Sequence, residues 1–255
     1  MSSNSIGVIA SAPTPYLRWL LADLGALGIP ARWVFLGSVA ERRLFALRSL
    51  TRVRRRHGWV EVMSRLLDRR LLEPPRSQEV PSFASLQHDE DFEVVEYDDV
   101  NGGRLLVDVM QRGPALLLLA GCGMVEPSLL KMPSLGVLNC HPALLPGARG
   151  VDTLEWSLID NLPLGVTAHF AVPAVDAGAI ILKRELTPSV GESLPEFRQR
   201  LLRTQAQCLA ASASLVLSGE YTPQKHDLSR STLFYASRRA DRRLAEAKFA
   251  LLTKS

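Results

Sequence analysis

Short, nearly continuous apolar runs alternate along this chain with stretches whose leucines recur at helical spacing. Ile6 to Ala10 reads as a buried strand, and "SAPTPYLRWLLADLGALG" then passes from a Ser/Pro loop into a helix. Leu17, Leu20, Leu21, Leu24 and Leu27 share one face of that helix, and Gly28 ends it. "ARWVFLG" is a second strand; "FEVVEYDDV" leads through Asn101 into the helical "GGRLLVDVMQRG", and "PALLLLAG" and "LGVLNCHP" follow as further strands. Buried runs joined by amphipathic helices predict a mostly parallel sheet covered on both faces, a doubly wound α/β fold. Ligands of such sheets bind outside the carboxyl ends of the strands, where the strand order switches. Asn139 and His141 stand where the strand "LGVLN" is expected to end.

Two segments stand apart from the alternation. Residues 41–76 read as one or two helices closed by "EPPR", with 11 Arg against 4 Asp or Glu. A solvated face is the ordinary reading of such a segment, and its charge also permits an anionic partner. Leu44, Leu47, Leu50 and Val53 are expected to dock one side of it on the body. Residues 221–255 form a polar, basic extension, helical in its second half, so the expected organisation is a domain over 1–220 and an extension over 221–255.

With 47% hydrophobic residues among 255, the chain has enough apolar surface for a substantial core. Its longest apolar runs, such as Ala115 to Ala120, fall far short of the roughly 20 residues of a membrane span. The start, Met1-Ser2-Ser3-Asn4, has no basic lead, so a cytoplasmic protein is expected. Cys122, Cys140 and Cys208 lack metal-ligand or paired spacing and read as small buried residues.

Chemistry gathers in residues 136–186. "GVLNCHPALLPGARG" is followed by a helix from about Thr153, a strand, a small loop and another strand. That loop, "AVPAVDAGAI", carries a lone carboxylate, Asp176. An amide donor, a titratable imidazole and a carboxylate suit a reaction that passes through an oxyanion.

"NCHPALLP", then "VTAHF" and "VDAGAIIL", resemble the formyltransferases that use 10-formyltetrahydrofolate, whose pattern is Asn-x-His-x-x-Leu-Leu-Pro with Asp-x-Gly further on. The resemblance is strong over 115–186 and weaker over 1–114. It implies a Rossmann-like fold and makes Asn139, His141 and Asp176 the catalytic three, with Asp176 keeping His141 charged and no metal required. His169 of "TAHF" is expected to stand behind them. The same resemblance places the folate donor against "AGCGMVEP" and "FAVPAVD", so Cys122, Met124, Val125, Pro173, Ala174 and Val175 are the expected donor-binding residues.

The expected acceptor is the primary amine of a small molecule. Relatives acting on glycinamide ribonucleotide carry a Gly-rich phosphate loop after the first strand, whereas "ASAPTPY" has no glycine there. Methionyl-tRNA relatives carry a further domain, and the residues after Glu220 are too few for it, so nucleic acid is not the expected partner. An amino-sugar nucleotide is the leading choice. The alternatives are a formyltetrahydrofolate hydrolase, a methionyl-tRNA formyltransferase-like enzyme and a non-catalytic scaffold with an anion-binding helical segment. The oligomeric state is left open.

Overall fold

The computed structural model describes residues 5–67 and 92–254. Strand β1 (Ile6–Ala10) leads to helix α1 (Pro15–Ala26), β2 (Ala31–Gly37) and α2 (Val39–Leu67). After the gap come β3 (Glu93–Tyr97), α3 (Gly103–Arg112), β4 (Leu116–Leu119), the single turn α4 (Pro127–Leu130) and β5 (Val137–His141). The remainder is β6 (Ala148–Gly150), α5 (Thr153–Ile159), β7 (Gly165–Phe170), β8 (Ile180–Glu185), α6 (Leu194–Ser218), β9 (Thr232–Phe234) and α7 (Arg239–Leu252).

Seven strands form one sheet in the order β3-β2-β1-β4-β5-β7-β8. The first five are parallel, as expected, while β7 runs antiparallel to both β5 and β8. Strand alternation divides the core. Val8, Leu118 and Leu138 face α1 and α6, whereas Ile9, Leu117 and Val137 join Leu105 and Val109 of α3 on the opposite face.

Thr14 caps α1 by accepting from the Leu17 N–H, and Pro15 opens the helix where a missing N–H costs nothing. Leu17, Leu20 and Leu24 are fully buried, but Leu27 lies past the last turn and is half exposed. Ser193 and Glu196 form a reciprocal cap on α6, whose small and apolar residues pack against α1, β5 and β7.

The Arg-rich segment is helical to Leu67, with a break at Gly58 (φ 79°, ψ −177°); its "EPPR" end lies outside the described residues. The expected docking stripe needs correction. Val53 is buried and Leu50 partly so, but Leu44 and Leu47 are exposed. Glu41, Val53 and Val62 face the body instead, since so many arginines leave too little apolar surface for a full docking face.

The extension after residue 220 is built into the same body. Strand β9 pairs with β6, and α7 lies on α5 with Ala245 and Phe249 in the main core. Cys122, Cys140 and Cys208 are buried free thiols, as read from their spacing.

Candidate active site

The amide and imidazole at positions 139 and 141 share a face because they are two residues apart on one strand. Cys140 between them points into the α1/α6 core, and its carbonyl accepts a buried hydrogen bond from Gln205 of α6 at 2.8 Å. That bond fixes the backbone midway between the two side chains. Thr167 of β7 fixes the loop that follows, donating to the Ala143 carbonyl at 2.8 Å and accepting from the Leu145 N–H at 3.0 Å.

Asp176 reaches the pair from the β7–β8 loop, in a left-handed conformation (φ 47°) that non-glycine residues rarely adopt. Gly178, two residues on, tucks under β7, where an added Cβ would lie 1.7 Å from the Phe170 carbonyl oxygen. Three further contacts hold the loop: Arg149 donates to the Val175 carbonyl at 3.1 Å, His226 to the Gly178 carbonyl at 3.1 Å, and Ile180 and Gln224 exchange backbone bonds. Two of these come from the C-terminal extension.

The structure brings the three expected residues together. One Asp176 oxygen, Oδ2, accepts from the Gly150 N–H at 2.8 Å and lies 3.4 Å from Nδ1 of His141. The other, Oδ1, lies 3.6 Å from Nε2 of His169, and that nitrogen is 3.3 Å from the Asn139 amide nitrogen. His169 therefore belongs to the cluster itself. It stands directly across from Asn139 in the antiparallel β5–β7 register, a relation that motif spacing does not contain.

Opposed effects set the charges. Burial pulls the His141 imidazole below its ordinary range, and Asp176 pulls it back up without cancelling the loss. Burial pushes the Asp176 carboxyl up, but His169, the charge of His141 when it is protonated and the Gly150 N–H together outweigh it and hold the group below its ordinary range. The expected charge on His141 thus meets an opposing effect, since burial favours the neutral ring. Its Nε2–H donates to the Ala148 carbonyl at 3.0 Å, so Nδ1, the nitrogen beside Asp176, carries the open lone pair.

The expected donor-binding residues divide. Met124, Pro173 and Ala174 are exposed, and Val125 and Val175 are half buried, on the loops following β4 and β7. Cys122 is the exception, with its side chain sealed in the core under β4, leaving only backbone for a ligand. Asn101 pins the first loop by donating to the Met124 carbonyl at 3.2 Å and accepting from the Glu126 N–H at 2.9 Å. Among the described residues no three His, Cys, Asp or Glu side chains gather as a metal site, and no helix is long and apolar enough to cross a membrane.

The family model described as formyl transferase matches residues 87–212. A methionyl-tRNA formyltransferase of Alkaliphilus oremlandii is 32% identical over 120 residues, covering 46% of this chain and 39% of that protein. The chain spans less than half the length of such curated relatives. A sugar N-formyltransferase from Shewanella shares the fold with a TM-score of 0.61 at 14% identity, over 96% of this chain and 87% of that one. A formyltransferase from Anoxybacillus kamchatkensis, solved with UDP-4,6-dideoxy-4-formamido-L-AltNAc and tetrahydrofolate, gives a TM-score of 0.50 at 22% identity, over 60% and 82% of the two chains. Over residues 87–212, just under half of the chain, the sequence is similar to the formyl transferase family, and its fold is shared with solved formyltransferases.

Proposed function

We propose that the protein transfers a formyl group from 10-formyltetrahydrofolate to the primary amine of a small molecule, an amino-sugar nucleotide. The convergence of Asn139, His141 and Asp176 at the end of β5 carries this reading. The folate would supply a formyl carbon on a nitrogen able to leave. Met124, Val125, Pro173, Ala174 and Val175 fit its flat ring, since they offer apolar surface and open backbone on the two loops that flank the cluster.

The side chains divide the work. Asn139 donates its amide N–H to the formyl oxygen as negative charge grows there. His141 has Nε2 tied to the Ala148 carbonyl, so Nδ1 takes the proton of the attacking amine and later returns it to the departing nitrogen. Asp176 stabilises the imidazolium formed between those two transfers, at 3.4 Å. His169, whose Nδ1–H donates to the Phe170 carbonyl at 2.8 Å, accepts from the Asn139 amide N–H at Nε2 and so positions that amide. The amino-sugar assignment draws support from the glycine-free loop after β1, which offers no phosphate cradle there, and from the sugar-nucleotide complex of the Anoxybacillus relative.

Incubation with 10-formyltetrahydrofolate and a panel of amino-sugar nucleotides, amino acids and charged tRNA tests the reading by mass. A formyl gain on an amino-sugar nucleotide is expected, and His141→Ala should reduce its rate by about 10²-fold or more. Formylation of tRNA alone would replace the acceptor. Unchanged turnover in His141→Ala would remove that side chain from the mechanism, and formate release needing no amine would make the protein a hydrolase.

A further inference from the structure

A second site lies beyond the Asn139 cluster. A cleft of about 330 Å³ opens between the Arg56–His57 turn of α2, helix α5 and the segment that leaves β9. One wall is aromatic. Trp156 and Phe234 stack nearly parallel with ring centres 5.3 Å apart, and Tyr235 beside them is half exposed. The segment is held in place by the Trp156 indole N–H, which donates to the Tyr235 carbonyl at 2.8 Å, and by Asp152, which accepts from both the N–H and the hydroxyl of Ser237 at 2.8 Å.

The same wall carries a cation. The Arg56 guanidinium lies 3.8 Å from the centre of the Tyr235 ring, and among the described residues no carboxylate pairs with it. His57 is committed, donating from Nε2 to the Ala236 carbonyl at 2.7 Å. Asp241, the one carboxylate lining the cleft among the described residues, is engaged by the Arg238 side chain at 3.2 Å and by its backbone N–H at 2.8 Å. Among the described residues the acidic charge is thus balanced while that of Arg56 is not. Half-exposed rings beside a guanidinium that no described carboxylate pairs suit a flat heterocycle that carries an anion, the heterocycle against the open ring surface and the anion against the guanidinium.

The cleft is also wired to the Asn139 cluster. Phe234 pairs across the two-stranded sheet with Gly150, whose N–H holds Asp176 at 2.8 Å. One strand spacing of about 4.8 Å then keeps the Phe234 backbone within roughly 8 to 9 Å of the Asp176 carboxylate.

We propose that this cleft is the acceptor's nucleotide subsite, taking a nucleoside diphosphate with its ring on the Trp156, Phe234 and Tyr235 wall and its diphosphate on Arg56. The link to the acceptor rests on the formyl-transfer reading; nucleotide binding itself does not. Titration of the intact protein with UDP, with no folate present, tests it by calorimetry and tryptophan fluorescence. Saturable one-site binding is expected, with uridine and pyrophosphate each at least tenfold weaker. Arg56→Gln and Tyr235→Leu should each weaken UDP at least tenfold with native circular dichroism, while His141→Ala binds it normally. Absence of saturable UDP binding up to millimolar concentration overturns the proposal, as does wild-type affinity in both cleft variants. So does tighter binding of a short single-stranded RNA than of UDP. A protein that binds UDP but formylates no amine would keep the cleft and lose the transfer reading, so the two fail separately.

Discussion

At the scale of single residues, the balance of burial and charge at His141 decides which form of the ring starts the reaction. Burial favours the neutral base, and Asp176 limits how far the pKa falls. The sign of one test follows. Because the carboxylate raises the pKa of His141, Asp176→Asn lets it drop further. The acid limb of the rate–pH profile, which reports protonation of the free base, should therefore move to lower pH, while the plateau falls by about 10²-fold because the imidazolium loses its counter-charge. A profile whose acid limb stays in place would show that Asp176 does not act through His141. Gln205 and Thr167 touch no reacting atom, yet they hold the backbone on either side of His141 through buried hydrogen bonds.

At the scale of elements, the β7–β8 loop is the part most tightly specified by its surroundings. It carries Asp176 at positive φ, passes Gly178 beneath the Phe170 carbonyl, and is clamped by Arg149 from β6 and by His226 and Gln224 from the extension. Gly178→Ala has no room for its methyl group, with backbone rather than a flexible side chain in the way. Overpacking of this kind costs about 1–3 kcal/mol. The expected outcome is a lowered melting temperature together with a loss of turnover larger than the stability change explains, because the loop and its carboxylate must shift. Full activity in Gly178→Ala would show that the position of Asp176 is not set by this contact.

At the scale of the whole molecule, the extension completes the core. Phe249 of α7 is buried with its ring 5.2 Å from Phe197 of α6, Lys248 donates to the Ile159 carbonyl at the end of α5, and Arg242 pairs with Glu61 of α2 at 3.0 Å. Helix α7 thus joins the Arg-rich helix to the sheet's own layer. Phe249→Ala should cost about 3–5 kcal/mol, since it removes a buried ring and leaves a cavity. In a protein of this size that lowers the melting temperature by roughly 10 °C, which differential scanning calorimetry would read directly. A shift of only a degree or two would mean that α7 is a loosely held appendage.

Much of this was legible in the residue pattern. The alternation of apolar runs and leucine-spaced helices was enough for the doubly wound sheet, and a separation of two along one strand was enough to put Asn139 and His141 on the same face. Such periodicities are written within a few neighbouring residues, where backbone geometry alone turns spacing into direction. The place of Asp176 came through likeness to a family pattern. What lay beyond local spacing was decided by pairing and packing between distant segments. The antiparallel register of β7 sets His169 across from Asn139, the β6 strand offers the Gly150 N–H to Asp176, and the extension returns to clamp the loop and to build the Trp156–Tyr235 cleft. None of these partners lies within 25 residues of the group it serves. Contacts at that separation depend on which surfaces the whole chain buries together, so the fold and two of the three central residues belong to the sequence, and the finished site belongs to the tertiary structure.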